Sequence, residues 1–475
     1  MGEANLRNRE VWIIIGLTVL AFMTRGYGLS EWALFGDEIP TVIYAEERAT
    51  SWVNPAYYVL VLGSFELFGV SEWSARLPSM LLGVVSIPVF YVTWRRVFGN
   101  NIAFIGALII VFSSWHLWQS QFSRFYSGVF LFGSLSFFFY YRAIQLDSMR
   151  YLIWAVLTNA IGCLFHVTAV MVVGACGLFS LLVLLWKERS EKGYSKRIAG
   201  AYLGLYALLA LIALPFLWGI AEHRATSGEA VWGDEPAEMI LQLARRTQLP
   251  VALTAFFGLI LLFQQHLSKA IYLAVGIAVA VSFLLLTSGF MNTHANYVMY
   301  VLPLIILLSA FFCHQVGTGL ENYRFGYAAM PAVVIVLMLP EFISHYSGKK
   351  SLDVREVVSF VNQRYQPGDK VLSFVREFDY YGSDRFSIEP RIAPAHSRGS
   401  KWIEPLDAYK DDGERLWVIL NTYRKPVAKE LDKWLLANGA LVWHSYETRL
   451  DYIVHGYQVF LIGDGKTDAH VAAPK

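Results

Sequence analysis

Long apolar runs recur along the first 345 residues, and they constrain the fold more than any other feature. The chain has 475 residues, of which 56% are hydrophobic and 16% are charged. Soluble proteins carry about 25% charged residues. A helix crosses a bilayer core with about 20 apolar residues, so we predict a polytopic α-helical membrane protein. The candidate spans are roughly 11–29, 77–94, 102–119, 125–141, 151–166, 168–186, 200–220, 249–265, 270–288, 298–314 and 326–344.

The loop charges predict how these spans are oriented. The stretch 54–70 is short, contains Glu66 and begins close to a proline. If it does not cross, thirteen Lys and Arg residues fall in cytoplasmic loops and seven in outer segments. Lys and Arg concentrate on the cytoplasmic side, so this arrangement is favoured. It predicts eleven spans in an inner or plasma membrane, a cytoplasmic N-terminus and a long first outer loop at 39–76 with interfacial helices.

The last 125 residues have ordinary composition and predict a soluble α/β domain at 349–475, after a membrane module at 1–348. The stretch DVREVVSFVNQRY has helical periodicity, and PVAKELDKWLLANG reads as a helix from Pro426 to Gly439. Between and after them, VLSFV, LWVILN, ALVWHSY and YIVHGYQVFLIG read as strands. No GxGxxG or Walker-type loop occurs, which argues against a nucleotide site. The predicted topology puts this domain on the extracytoplasmic side of the membrane.

Charge and cysteine usage exclude several classes of protein. The net charge of +2 favours no nucleic-acid partner. Cys163, Cys176 and Cys313 lie separately in apolar runs, which indicates buried packing rather than a disulfide framework or a metal site. No HExxH, CxxC or GxSxG motif is present. The spans also lack a series of buried carboxylates, which counts against an ion-coupled transporter.

The adjacent acidic pair Asp37 and Glu38 follows the first span and is the first candidate for chemistry. A carboxylate at the membrane edge can act as a general base, a metal ligand or an ion site. Neighbouring residues on a helix do not share a face, so we assign chemistry to Asp37 and a supporting role to Glu38. The structural alternative is a helix N-terminus, where the dipole favours acidic residues.

A second set of candidates falls on the same predicted outer face. Arg124 lies between two apolar runs, where a guanidinium can pair with phosphate, and Tyr126 adds a hydroxyl donor. His166 ends the fifth span. The polar loop 221–248 includes Arg224, and His294 lies between the ninth and tenth spans. The structural alternatives are an arginine that reaches the lipid headgroups and histidines that cap helices.

An ordered set of motifs extends over roughly residues 10–170. It consists of Arg25, Trp32, Asp37, Glu38, Pro55 with Tyr57 and Tyr58, SEWSARLPS at 71–79, WRRVFGNNIA at 94–103 and QSQFSRFYS at 119–127. In order and spacing this set resembles the lipid-linked-sugar glycosyltransferases of the membrane C-type (GT-C) fold. This superfamily includes the protein O-mannosyltransferases and the aminoarabinose transferases that act on lipid A.

Two positions depart from the family pattern. Relatives often have His-Pro-Pro or Lys-Pro-Pro in the outer loop, where this chain reads Asn54-Pro55-Ala56. Many relatives carry an Arg-Tyr pair before a late span, where this chain reads Asn296-Tyr297. These differences indicate a divergent donor or acceptor, with Arg224 or His294 as alternative sources of the second contact.

The resemblance implies an inverting glycosyltransferase, a hexosyl- or pentosyltransferase, that uses a polyprenyl-phosphate sugar at the outer face. Asp37 acts as the general base on an acceptor hydroxyl, and Arg124 stabilises the leaving phosphate. Asp37 and Glu38 are also candidate ligands for a divalent cation (Mg²⁺ or Mn²⁺). The acceptor class stays open among glycan, lipid and protein. A flippase for a lipid-linked sugar and a non-catalytic membrane scaffold are the alternative functions. The implied substrate-binding residues are Arg25, Asn54, Tyr57, Arg124, Tyr126, His166, Arg224 and His294.

Overall fold

The chain folds into two compact units. The first unit combines Met1–Leu29 with Tyr44–Ile343, and the second combines Ser30–Ile43 with Ser344–Lys475. The computed structural model describes residues 2–49, 54–185, 194–226, 236–288, 293–320, 322–323, 325–348, 353–386, 388, 406, 415–421, 425–444, 447–448 and 454–463.

Helices dominate the chain up to residue 348, as the apolar runs predict. Short 3₁₀ turns at Val167–Ala169 and Ala295–Val301 precede two of the helices. The helices are α1 (Gly2–Gly26), α2 (Glu38–Glu46), α3 (Pro55–Phe68), α4 (Glu72–Phe98), α5 (Asn100–Phe112), α6 (Ser114–Ser120), α7 (Tyr126–Leu146), α8 (Met149–Phe165), α9 (Val170–Leu185), α10 (Lys196–Thr226), α11 (Pro236–Thr247), α12 (Leu249–Gln265), α13 (Leu267–Thr287), α14 (Leu302–Gly319) and α15 (Gly326–Gly348).

Six segments of the described chain are long and apolar enough to cross a membrane, or up to eight if each of two bent helix pairs is one span. The eleven spans expected from the sequence therefore stay a prediction. The helix at 54–70 has 14 residues, which is about 21 Å, short of the roughly 30 Å of a bilayer core. The six segments are Glu72–Phe98, Tyr126–Leu146, Val167–Leu185, Leu267–Thr287, Ala295–Gly319 and Gly326–Ser347.

The predicted span at 102–119 is broken at Ser113 into α5 and α6, which meet at a bend of 63°. The Ser113 hydroxyl accepts a hydrogen bond from the His116 amide and so caps α6. A break of this kind leaves the last carbonyl groups of α5 without helical partners. Here the side chain of Arg25 donates hydrogen bonds to two of these carbonyl groups.

The core of the first unit centres on α14. The apolar window of Ala295–Gly319 is 83% buried, whereas that of Gly326–Ser347 is 17% buried, so α15 is peripheral. Helices α12 and α14 approach closely at Gly258, where a Cβ atom would lie 2.0 Å from the carbonyl oxygen of Leu308. Small residues allow membrane helices to pack backbone against backbone in this way.

The second unit contains the α/β layers predicted at the C-terminus. The sheet order is β1-β2-β6-β3, with β1 and β2 parallel and the other neighbours antiparallel. A separate two-stranded pair joins β4 to β5. The described elements are α16 (Val354–Asn362), β1 (Lys370–Ser373), α17 (Arg376–Gly382), β2 (Leu416–Asn421), α18 (Lys425–Asn438), β3 (Ala440–His444), β4 (Glu447–Thr448), β5 (Val454–His455) and β6 (Tyr457–Ile462).

Strand β2 is buried on both faces because helices cover each side of the sheet. Trp417 and Ile419 join the apolar cluster that contains residues of α16 and α17. Leu416 and Val418, with the opposite side-chain direction, join a second cluster with α18. This near-continuous apolar run is typical of a strand covered on two sides, and it explains why LWVILN was readable from sequence.

The segment Ser30–Ile43 belongs to the second unit, whereas the composition of the chain predicts a membrane module at 1–348 that would include it. Ala33 packs in the apolar cluster of α16 and α17. The amide of Leu34 donates to the hydroxyl of Tyr381 at 2.8 Å. The physical reason for the difference is therefore a set of contacts with residues more than 300 positions away, which leave no local signal.

Candidate active site

The acidic pair occupies two different environments within the second unit. Asp37 is exposed, and Glu38 is fully buried as the first residue of α2. An oxygen of Glu38 accepts a hydrogen bond from the Phe35 amide at 3.2 Å. The threonine one turn later, Thr41, donates its hydroxyl to the Asp37 carbonyl. Asp37 is thus exposed, whereas Glu38 is buried and hydrogen-bonded within the loop. The catalytic role expected of Asp37 and the supporting role expected of Glu38 stay predictions.

The backbone before Asp37 is held by side chains of α17. The Leu34 amide donates to the hydroxyl of Tyr381, and the Gly36 amide donates to a carboxylate oxygen of Glu377. Gly36 has a φ of 57°, a left-handed conformation that glycine adopts without steric cost. Sequence reasoning missed Glu377 and Tyr381, because nothing near them in the chain marks them as partners of residues 34–36.

A cationic and aromatic group forms in the first unit around Arg124. The Arg124 guanidinium carbon lies 4.8 Å from the centroid of the Phe125 ring. The His166 ring stacks on the same phenyl ring, with centroids 4.2 Å apart and an interplanar angle of 10°. Tyr297 lies 5.3 Å from His166, and Tyr126 packs against Phe125 at 4.5 Å. We call Arg124, Phe125, Tyr126, His166 and Tyr297 the Arg124 cluster.

The loop that carries Arg124 is fixed by hydroxyl groups of α3 and α4. Ser79 donates to the Arg124 carbonyl at 2.8 Å, and the Tyr57 hydroxyl lies 2.6 Å from the Ser79 hydroxyl. Tyr57 also approaches Ser123 at 3.3 Å. Tyr57 is fully buried, so these contacts indicate that it supports the backbone of Arg124 through Ser79 and Ser123. Asn54, expected to bind substrate, is buried at the N-terminus of α3.

Two histidines are held in the same manner, each before a 3₁₀ turn. The Thr168 amide donates to Nδ1 of His166 at 3.3 Å, and the Asn296 amide donates to Nδ1 of His294 at 3.2 Å. A neutral imidazole that accepts at Nδ1 carries its proton on Nε2. Burial, with a smaller contribution from the positive charge of Arg246, lowers the pKa of His294 to about 3. His294 is therefore neutral at physiological pH.

Gln119 is a buried polar side chain for which the described residues supply no hydrogen-bond partner. It is fully buried at the end of α6. Among the residues that the structure describes, neither its amide nitrogen nor its amide oxygen has a hydrogen-bond partner. A buried amide usually has a protein or water partner, so Gln119 is a candidate polar contact for a bound molecule. Nearby, Trp115 donates its indole N–H to Asn296 at 3.0 Å.

Arg25 was expected to bind substrate, but its position favours a structural role. The side chain is fully buried. One terminal nitrogen donates to the Val111 carbonyl at 2.6 Å, and the other donates to the Ile110 carbonyl at 2.7 Å. Its second terminal nitrogen also lies 3.2 Å from Nδ1 of His116. Arg25 thus satisfies the carbonyl groups that the break at Ser113 leaves at the end of α5.

The remaining expectations concern Arg224 and a metal ion. The backbone of Arg224 lies in α10, while its side chain and most of the loop before α11 fall outside the described residues. In the described part of the chain, no three His, Cys, Asp or Glu side chains come together as a metal site. A divalent cation at Asp37 and Glu38 would therefore find at most these two carboxylates as ligands among the described His, Cys, Asp and Glu side chains.

Comparison with known proteins bears out the resemblance read from the motifs. The family model of dolichyl-phosphate-mannose-protein mannosyltransferases matches residues 53–218, a stretch that contains Tyr57, Arg124 and His166. Sequence comparison with curated proteins gives no match. The chain is thus similar over about a third of its length to a family of GT-C glycosyltransferases.

The fold is similar to that of ArnT from Cupriavidus metallidurans. The crystal structure of apo ArnT matches with a TM-score of 0.60 and 12% identity, covering 96% of this chain and 98% of that one. The structure of ArnT bound to undecaprenyl phosphate matches with a TM-score of 0.55 and 12% identity, covering 94% and 97%. These comparisons confirm the GT-C fold along almost the whole chain.

Proposed function

We propose that the protein transfers a sugar from a polyprenyl-phosphate donor to an acceptor hydroxyl at the extracytoplasmic face of the membrane. The observation that carries the proposal is the Arg124 cluster, which lies mainly in the stretch similar to mannosyltransferases and on a fold similar to ArnT. One ArnT structure holds undecaprenyl phosphate. By analogy, a polyprenyl phosphate is the lipid that we assign to this chain.

Arg124 binds the phosphate of the donor in this proposal. A guanidinium offers paired donors that match phosphate geometry, and its attraction grows as negative charge develops on the leaving phosphate. His166 stacks on the Phe125 ring, which the Arg124 guanidinium also approaches. His294, being neutral, adds no competing positive charge, and its Nε2–H suits a sugar hydroxyl or a phosphate oxygen. Tyr126 and Tyr297 supply the aromatic wall of the donor site.

Asp37 serves as the general base. The acceptor O–H gives its proton to the Asp37 carboxylate while the acceptor oxygen bonds to the anomeric carbon. The bond from that carbon to the phosphate oxygen breaks, and polyprenyl phosphate leaves with the electron pair. Phosphate is a good leaving group and needs no acid catalyst, unlike the alcohols released in glycoside hydrolysis. A single displacement inverts the anomeric centre.

Transfer of radiolabelled sugar from a panel of polyprenyl-phosphate donors by the purified full-length protein tests this proposal. We expect Asp37→Asn to lower kcat by about 10²–10⁴-fold, the usual contribution of a general base. Glu31→Gln is the matched control, because Glu31 is an exposed carboxylate of the same segment. Full transfer by Asp37→Asn would exclude Asp37 as the base.

Liposomes distinguish this enzyme from a flippase. A flippase moves the labelled donor between leaflets without forming product, whereas the proposed enzyme forms product from donor supplied on the outer side. The same protein tested with and without a divalent-cation chelator decides whether Mg²⁺ or Mn²⁺ is required. Absence of product with all donors, together with donor translocation, would replace the proposed function by transport.

Cysteine labelling tests the proposed orientation. In a protein whose Cys163, Cys176 and Cys313 are replaced by Ala, we expect Ser190→Cys to be shielded from an impermeant thiol reagent in intact cells. Ser445→Cys, in the C-terminal domain, should be labelled. The opposite pattern would place the domain in the cytoplasm and show that 54–70 crosses the membrane.

A further inference from the structure

We propose that Glu377 and Tyr381 are positioning residues that fix the loop carrying Asp37, so that the C-terminal α/β domain is part of the catalytic apparatus. This inference rests on the proposed function, because it takes Asp37 as the general base. It assigns a role to α17, which the sequence motifs do not include. The loop concerned is residues 33–37, and all of its contacts used below lie inside the second unit.

Three consecutive backbone amides of the loop are bound by side-chain oxygens. The Leu34 amide donates to Tyr381, the Phe35 amide to Glu38 and the Gly36 amide to Glu377. A loop usually leaves such amides to water. Here each one is fixed, so the backbone immediately before Asp37 has little freedom to rotate.

The spacing of the two partners on α17 matches the spacing of the two amides. Glu377 and Tyr381 are four residues apart and therefore lie on one face of the helix, with a rise of about 6 Å between them. The amides of Leu34 and Gly36 are two residues apart, which limits their separation to about 7 Å. One helix face can therefore hold both amides at once without distortion.

Burial makes this arrangement energetically significant. Glu377 is buried, and Ala33 packs in the same apolar cluster as Phe378 of α17. An amide that loses its acceptor in such surroundings is left with the full penalty of its desolvation. We call the hydrogen bonds from the Leu34 and Gly36 amides to Tyr381 and Glu377 the clamp. The clamp holds the backbone of the loop, whereas the side chain of Asp37 is exposed. The domain thus restrains the backbone and leaves the carboxylate accessible.

A positioned base predicts a defined kinetic signature. Displacement of a catalytic group by about 1 Å can cost up to about 10²-fold in rate, so loosening the loop should lower kcat. The donor KM should change less than twofold, because Arg124 lies in the other unit. The pH dependence of kcat should keep its shape, since the substitutions leave the proposed base itself in place. A direct role of Glu377 as a second base would instead alter that shape.

Hydrogen exchange and transfer assays on the full-length protein test the inference together. We expect Tyr381→Phe and Glu377→Ala to speed amide exchange in the peptide covering residues 30–43 at least tenfold and to lower kcat by about 10–100-fold. Glu377→Gln keeps an acceptor oxygen and should recover most of both effects. Tyr365→Phe removes another tyrosine hydrogen bond of the same unit, to the Asp369 carbonyl, and is the matched control for stability. Asp384→Asn, on an exposed residue just after α17, is the control for loss of charge.

The two measurements separate the inference from the proposed function. Unchanged exchange at residues 30–43 in both Tyr381→Phe and Glu377→Ala would overturn the clamp, whatever the activity. Faster exchange with unchanged kcat would overturn the positioning role. Faster exchange in a protein that transfers no sugar as wild type would confirm the clamp and refute the proposed function. If Tyr365→Phe changed amide exchange at residues 30–43 and kcat equally, the contacts of Glu377 and Tyr381 would contribute only to the general stability of the domain, and the positioning role would be overturned.

Discussion

The Arg124 cluster and the Asp37 loop are built by different means. The cluster is local to the membrane helices: stacked rings support the guanidinium, and hydroxyl groups of α3 and α4 hold its backbone. The Asp37 loop is held by backbone amides that donate to residues more than 300 positions later in the chain. The proposed phosphate contact therefore depends on helix packing, whereas the proposed base depends on the C-terminal domain.

This contrast also separates two kinds of arginine in the first unit. Arg25 and Arg124 both lie near the ends of apolar helices, and both are matched by the family pattern. Arg25 is fully buried and bound to the carbonyl groups of α5. Arg124 lies over an aromatic ring in a loop between helices. A shared sequence pattern therefore covers a structural residue and a candidate ligand-binding residue.

The largest effect should come from removing the proposed phosphate contact. We expect Arg124→Ala to lower kcat/KM for the lipid donor by about 10²–10³-fold, because loss of a group that stabilises developing charge has this cost. Arg124→Lys keeps the charge but loses the paired donor geometry and should recover only part of it. Donor-dependence of transfer measures both. Arg150→Gln, an exposed arginine, is the control. Full activity in Arg124→Ala would exclude Arg124 as the phosphate contact.

Arg25→Leu should mainly lower stability. Losing its bonds to the carbonyl oxygens of Ile110 and Val111 is expected to cost about 2–3 kcal/mol in the free energy of unfolding, the scale of charge-assisted hydrogen bonds. The donor KM of the protein that remains folded should not change. Denaturant unfolding in detergent and the transfer assay give the two values. Arg48→Gln, which loses a surface pair with Glu66, should cost under about 1 kcal/mol. A raised donor KM with normal stability would restore Arg25 as a substrate contact.

Sequence patterns predicted the parts of the molecule that local periodicity encodes. The strand LWVILN and the helix that begins near Pro426 formed as expected, because burial on two faces and helix-end residues leave local signals. Helix geometry also predicted that Asp37 and Glu38 do not share a face, and one is exposed while the other is buried. Their roles stay predictions. The motif at 119–127 was readable because its residues are close in the chain, whereas His166 and Tyr297 join the Arg124 cluster from distant positions.

The rest depends on contacts between distant residues. The bend at Ser113 was not predicted, because the mainly apolar stretch at 102–119 is long enough for one span and no Pro or Gly stands at the break. The attachment of residues 30–43 to α17 has no local periodicity either. Gln119 stands within a recognised motif, but only three-dimensional burial reveals that its amide has no described partner.

A smaller effect is expected for pH. Folding keeps His294 neutral, with a pKa of about 3 against 6.5 in the unfolded chain. As the pH falls below 6.5, the unfolded chain takes up a proton that the folded state does not, so stability is lost at up to about 1.4 kcal/mol per pH unit until pH 3. Asn can also cap the 3₁₀ turn. We therefore expect His294→Asn to lose less stability than wild type between pH 7.5 and 5.5, as measured by denaturant unfolding. Equal losses would show that His294 is protonated in the folded protein.

The smallest effect distinguishes a ligand contact from a packing defect at Gln119. Replacing a buried amide without partners by Leu removes a desolvation cost, so Gln119→Leu should leave the free energy of unfolding unchanged or raise it. If a bound donor supplies the missing partner, the same variant should raise the donor KM by about five- to tenfold, the value of one neutral hydrogen bond. The neighbouring Gln121 provides the contrast, because its amide donates to the carbonyls of Arg25 and Tyr27, and Gln121→Leu should therefore lower stability. An unchanged donor KM in a stabilised Gln119→Leu protein would make Gln119 a packing residue and confine the polar donor contacts to the Arg124 cluster and His294.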